Sequence, residues 1–176
     1  MCPGKIHTPP HICMDNTIYF LSVHTYRGIS VLASVARKDV LRRTIMREFA
    51  IGKYCIYAYV ILDNHYHLLF KSAKGSNLPV LMRRIHGTLS FLWNKEDVMC
   101  GRKCFQSYFE TIIRDKESFY LHLNYIHNNP VKHGYCNGIE AYAHSSIHSY
   151  MRFKGAEWIT DCISRYPVRD YSPSGE

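Results

Sequence analysis

Hydrophobic positions along the chain switch between two periods. Residues 17–25 (Thr-Ile-Tyr-Phe-Leu-Ser-Val-His-Thr) are rich in β-branched and aromatic types and predict a strand. Over 35–49 the apolar positions Val40, Leu41, Ile45 and Phe49 recur at helical spacing, with Lys38, Arg42, Arg43 and Arg47 beside the stripe. A second β-type run covers 54–62. Asp63 and Asn64 are turn formers, and His65–Lys71 returns as the second arm of a hairpin. Gly75-Ser76-Asn77 then leads into a helix with Pro79 in its first turn and Leu78, Met82, Ile85, Leu89 and Leu92 as its buried stripe. Arg83, Arg84 and Lys95 fall outside that stripe. The polar stretch 94–103 reads as a loop and 105–114 as a fourth strand. Asp115 caps a last helix whose stripe is Phe119, Leu123 and Ile126; Pro130 is expected to end it near Asn128.

The order is therefore β-α-β-β-α-β followed by a further helix. That is an α+β pattern, the ferredoxin-like antiparallel sheet with helices on one face plus a helix carrying a tyrosine. The main unit spans 17–134, flanked by extensions 1–16 and 135–176. In the second extension, Tyr142, His144, Ser145 and Ser146 and the stretch 150–158 predict partial order with one short helix, and 167–176 predicts a frayed end.

Charge narrows the partner. Against 14 acidic residues stand 22 Lys and Arg, a net charge of +8 that favours an anionic partner, nucleic acid first. No run approaches the ~18 apolar residues of a membrane span, and no signal-peptide segment opens the chain. The cysteines Cys2, Cys13, Cys55, Cys100, Cys104, Cys136 and Cys162 are odd in number and scattered, which argues against a disulfide framework. Cys100 and Cys104 lack a matching second pair, so they make an incomplete zinc pattern.

Two segments carry candidate chemistry. His65 and His67 stand at i and i+2 of a strand, so both imidazoles point to one face and can converge on a divalent ion. On the last helix Ser118, His122, Tyr125 and Asn129 share a narrow sector. A carboxamide oxygen suits a hard cation, and a tyrosine hydroxyl beside a metal can attack phosphorus. Taken singly, each has a plainer reading: a solvent-facing His pair, a packing tyrosine, a C-capping asparagine.

Together, Asp63-Asn64-His65-Tyr66-His67-Leu68 and Tyr125-Ile126-His127-Asn128-Asn129-Pro130-Val131 resemble the HUH single-tyrosine transposases, and more closely their REP-associated branch. That branch typically reads Pro-Asn-His-x-His-Leu and Tyr-Ile-His-x-Asn-Pro-Val; here Asp63 stands in place of the proline. The resemblance covers about 18–146. It implies His65, His67 and Asn129 as ligands of Mg²⁺ or Mn²⁺, with Tyr125 as the nucleophile of a 5′-phosphotyrosine intermediate. It implies cleavage and rejoining of single-stranded DNA beside a hairpin, by a monomer or homodimer in the cytoplasm at the nucleoid. Arg27, Arg42, Arg83, Arg84 and Lys132, with Arg102 and Lys103, are the candidates for backbone contact. A non-catalytic hairpin or single-strand binder derived from such an enzyme is the alternative.

Overall fold

The computed structural model describes residues 14–73, 75 and 77–171. Residues 1–13 of the first extension, with Cys2 and Cys13, lie outside the described residues, as do Ser76 and 172–176. The elements are β1 (Ile18–Thr25), α1 (Val35–Ile51), β2 (Cys55–Ile61), β3 (His65–Lys71), α2 (Leu78–Glu96), β4 (Phe105–Ile113), α3 (Lys116–Lys132), α4 (Ile147–Lys154) and α5 (Ala156–Arg165). The strands form one antiparallel sheet in the order β2-β3-β1-β4.

Period-two alternation divides the apolar side chains into two cores. Tyr19, Leu21 and Val23 of β1 and Tyr66, Leu68 and Phe70 of β3 face α1 and α2, where Leu41, Ile45, Phe49, Ile85 and Trp93 are buried. Phe20, Ala58, Val60 and Leu69 face the other way, against Leu123, Tyr125 and Ile126 of α3. The two histidines of β3 fall on this α3 side because they alternate with Tyr66 and Leu68.

Local capping follows the sequence. Ser34, Asn77 and Asp115 accept from the backbone N–H three residues on and open α1, α2 and α3. Three departures from the sequence pattern have physical causes. In α2 the stripe passes through Trp93, fully buried, while Leu92 is 37% exposed. At 3.6 residues per turn the stripe drifts, and the larger ring takes the core position. The helix also runs to Glu96, past the start of the expected loop. In α3, Pro130 does not end the helix, which continues to Lys132. Proline withholds only its own N–H, and so near a C-terminus the loss is confined to the Ile126 carbonyl. His133 N–H donates to Asn129 O and Tyr135 N–H to Pro130 O, closing the end.

The segment after α3 is more ordered than its composition suggests. A 3-10 turn at Ile139–Ala141 precedes α4 and α5. Ile61 N–H donates to His144 O and Ser146 N–H to Tyr59 O, so this segment pairs with the outer edge of β2. Asn124 of α3 donates to the carbonyls of Cys162 and Tyr166 and holds α5. Consequently α3 is buried on nearly every side, including the His122 and Tyr125 sector that the sequence pattern set apart from its apolar stripe. Among the described residues no helix is long and apolar enough to cross a membrane.

Candidate functional site

The site forms where the start of β3 meets the last turns of α3. His65 is 3% exposed and His67 is 1% exposed. Between them Tyr66 points to the opposite core and bonds His86 Nε2 at 2.7 Å, anchoring the strand from behind. His65 Nε2 lies 3.0 Å from Asn129 Oδ1, which joins the two predicted ligand segments. His65 Nδ1 lies 2.7 Å from Asn64 Oδ1. With Nδ1–H donating to Asn64, Nε2 keeps its lone pair. That lone pair then faces the carboxamide oxygen of Asn129, an arrangement that a shared cation stabilises.

His67 reinforces this. Among the described residues neither ring nitrogen has a hydrogen-bond partner, and Asn129 Nδ2 is also unsatisfied. Leaving a buried polar group unpaired costs about 1–3 kcal/mol, so such groups need an explanation. Burial holds the His67 imidazole well below its ordinary 6.5, with further contributions from His65, His24, His133 and Lys132. The neutral imidazole is the form that ligates metals. Adjacent ligands of an octahedral Mg²⁺, each about 2.1 Å from the ion, stand about 3 Å apart, which fits the Nε2 to Oδ1 separation. Among the described residues no cluster of three His, Cys, Asp or Glu side chains is arranged for a metal. A cation here would have two imidazoles and a carboxamide to rest on. Cys100 is exposed while Cys104 is buried with Sγ 3.5 Å from Asn94 Oδ1.

Tyr125 stands against this group. Its ring centroid is 5.3 Å from that of His67 and 5.8 Å from that of Phe20. Lys132 Nζ lies 5.7 Å from the ring centre and pairs with Asp170 at 2.8 Å. Tyr171 meets Tyr125 edge-on at 5.6 Å and stacks on His122 at 3.9 Å. The nucleophile candidate is therefore 1% exposed. Beside it, a cavity of about 240 Å³ is lined by Tyr125, Asn129, Lys132, Val168 and Asp170.

The fold that carries this geometry matches a solved one. The structure of a REP-associated tyrosine transposase bound to a REP hairpin aligns with a TM-score of 0.70 at 20% identity, over 84% of this chain and 87% of that one. This chain has that transposase's fold. A protein of Deinococcus radiodurans R1 assigned as a transposase aligns at a TM-score of 0.47 and 16% identity, over 73% of this chain and 97% of that one, too loosely to carry an argument. No protein-family model matches the sequence, and no curated protein matches it.

Within the transposase fold, the other candidates disperse. Arg42 on α1 and Arg83 and Arg84 on α2 belong to helices on the sheet face away from Tyr125. Arg84 pairs with Glu48 at 2.6 Å and Arg102 with Asp97 at 2.6 Å. Arg27 lies in the turn after β1, over the Tyr26 ring, which Lys103 also approaches.

Four residues outside the sequence motifs complete the site. His24 is the cross-strand neighbour of His65 and stacks on it at 5.2 Å with an interplanar angle of 17°. His133, capping α3, meets His65 at 4.8 Å. Neither is legible without the strand register and the helix end. Lys38, 6% exposed, pairs with Asp63 at 2.6 Å, and its Nζ lies within 6 Å of the Tyr135 and Tyr142 ring centres at 5.9 and 5.7 Å. Tyr142 donates to Ile61 O. The turn before His65 is thus locked to α1 and to the chain just after α3. The sequence pattern placed Lys38 beside the stripe, where a solvated charge was the plainer reading.

Proposed function

We propose that the chain is a single-tyrosine enzyme of the HUH type, REP-associated branch, that cleaves and rejoins single-stranded DNA next to a hairpin. The observation that carries this reading is the meeting of His65 Nε2 and Asn129 Oδ1 at 3.0 Å, with unpartnered His67 and the Tyr125 ring alongside. A Mg²⁺ or Mn²⁺ held by His65, His67 and Asn129 would polarise the scissile phosphate. Tyr125 Oη attacks phosphorus, its proton passes to solvent, and a phosphotyrosine bond replaces the P–O3′ bond. The departing 3′-oxygen takes up a proton as a free hydroxyl. A 3′-hydroxyl of an incoming strand attacks the same phosphorus, rejoins the backbone and returns the proton to Tyr125. The phosphodiester energy stays in the tyrosine link, so no nucleotide cofactor is needed. Lys132, 5.7 Å from the Tyr125 ring centre, is placed to meet the phosphate once released from Asp170.

The test is covalent adduct formation with Mn²⁺ and labelled single strands and hairpins from the DNA flanking the gene. A denaturant-resistant band, absent with Tyr125→Phe and with chelator, is the expected result. A band that survives Tyr125→Phe removes the nucleophile assignment.

The near-complete burial of Tyr125 beneath Tyr171 favours a second reading, a hairpin or single-strand binder without catalysis. Tight hairpin binding without any adduct would select it.

A further inference from the structure

Among the described residues, the middle of β4 is left uncovered on the sheet face that carries His65 and His67. Helix α3 packs over β2 and β3 and reaches β1 at Phe20. Strand β4 is an edge strand paired only with β1 among the described residues. Alternation places Phe109 and Thr111 of β4 on the same face as the two histidines, and Ser107 sits at the irregularity where β4 slips against β1 between Val23 and Thr25. In register, Phe109 lies opposite Ser22, and Ser22 lies opposite His67. Phe109 is 50% exposed, and Ser107 and Thr111 are exposed on either side of it. Two strand spacings separate Phe109 from His67, about 10 Å of backbone, the reach of a nucleotide flanking a phosphate held at His67.

The surroundings decide what such a side chain suits. Hydroxyls flank a single flat ring, unlike the broad apolar patch of a permanent protein interface. At the His24 end of β1, Arg27 and Lys103 are both exposed and gather over the Tyr26 ring at 5.2 and 4.8 Å. An aromatic face between hydroxyls, with cations at one end, complements a base on an anionic backbone. Every base has a π-face, so the contact tolerates sequence.

We propose that Phe109 is the stacking platform for an unpaired base flanking the scissile phosphate, with Arg27 and Lys103 meeting the backbone beyond it. This rests on the single-strand reading of the His65, His67 and Tyr125 site. It adds a binding subsite on a different strand from any of those residues.

The experiment uses the full chain with hairpins from the gene's flanks, carrying unpaired 5′ and 3′ extensions, with 2-aminopurine placed in turn at each unpaired position. Wild type is expected to quench the probe at one flank position. Phe109→Ala is expected to abolish that quenching and to weaken binding of the extended hairpin about 10-fold, the scale of one lost stacking contact. It should leave a hairpin without extensions unaffected, and Phe109→Trp should restore both signals. Unchanged affinity and quenching in Phe109→Ala, with Tyr125 adducts still forming, overturn the platform and leave the enzyme reading standing. Absence of both adduct and binding in wild type overturns the enzyme reading and this proposal with it. A change in sedimentation mass in Phe109→Ala, without a change in DNA affinity, assigns the strand edge to a second copy instead. Circular dichroism melts of each variant exclude misfolding as the cause, since Phe109 is outside both cores.

Discussion

Asn64 shows how a residue without chemistry of its own can set a ligand. Its carboxamide oxygen lies 2.7 Å from His65 Nδ1, and accepting the Nδ1–H would leave Nε2 to a cation under the proposed function. Removing such an orienting partner typically costs about 10–100-fold in metal affinity. Asn64→Ala is therefore expected to weaken Mn²⁺ binding on that scale, read from the free-ion signal in electron paramagnetic resonance. Unchanged affinity would mean that another group orients His65. His127 acts differently. It points away from the Tyr125 sector, bonds Ser146 Oγ at 2.9 Å, and burial lowers it from an ordinary 6.5 to about 3. Since the folded form resists protonation, its stability contribution is complete above pH 6.5 and declines as pH falls towards 3. The decline is up to about 1.4 kcal/mol per pH unit. Denaturant titrations at pH 7, 5 and 4 should show it, and His127→Gln, which keeps a donor for Ser146, should make the decline shallower, the remainder coming from His67 and His86. The motif residues were visible at this scale because their spacing states their direction: i and i+2 on a strand, four apart on a helix. His24 was not visible, because its stacking on His65 comes from the pairing of β1 with β3.

At the scale of elements, the hairpin, the helix caps and the two-sided sheet follow from alternation and turn chemistry. What the pattern missed lies where one element is decided by another. Helix α3 loses its exposed face because α5 and residues 166–171 lie over it, and no periodicity within α3 records them. The same contacts predict behaviour. Asp170 pairs with Lys132 and Tyr171 lies edge-on to Tyr125, so under the proposed function a strand would reach the hydroxyl once 167–171 lift away. A chain truncated after Tyr166 should form adducts several-fold faster in a gel time course, with unchanged hairpin affinity. Equal rates would show that the segment opens faster than the chemistry proceeds.

For the whole molecule, two extensive apolar cores, one on each side of the sheet, supply the burial that drives folding. Trp93, Tyr19 and Tyr66 are wholly buried on one side of the sheet and Tyr125 almost so on the other. Protein treated with chelator should therefore melt in one cooperative transition, at a temperature within about 2 °C of untreated protein. Added Mn²⁺ should raise it through binding to the folded state alone. Collapse of the fold on chelation would make the metal structural. The positive charge that first suggested nucleic acid is not concentrated at the site. Arg42, Arg83 and Arg84 belong to helices on the opposite side, so under the proposed function a hairpin stem and a reacting strand would not need to share a surface.

The pairing of Lys38 with Asp63 bears on how related chains diverge. The similar motif places a proline where this chain has Asp63, stiffening the turn through its ring. Here an ion pair enclosed by Tyr135 and Tyr142 holds the same turn. Lys38 left alone would be a nearly buried, uncompensated charge, whereas Asp63, 29% exposed, would keep contact with solvent. Replacing the aspartate before the lysine therefore passes through a destabilised intermediate. Positions 38 and 63 should change together across descendants, lysine travelling with aspartate and an uncharged residue with proline. An alignment in which lysine at 38 accompanies proline at 63 as often as aspartate would show that the two positions drift independently.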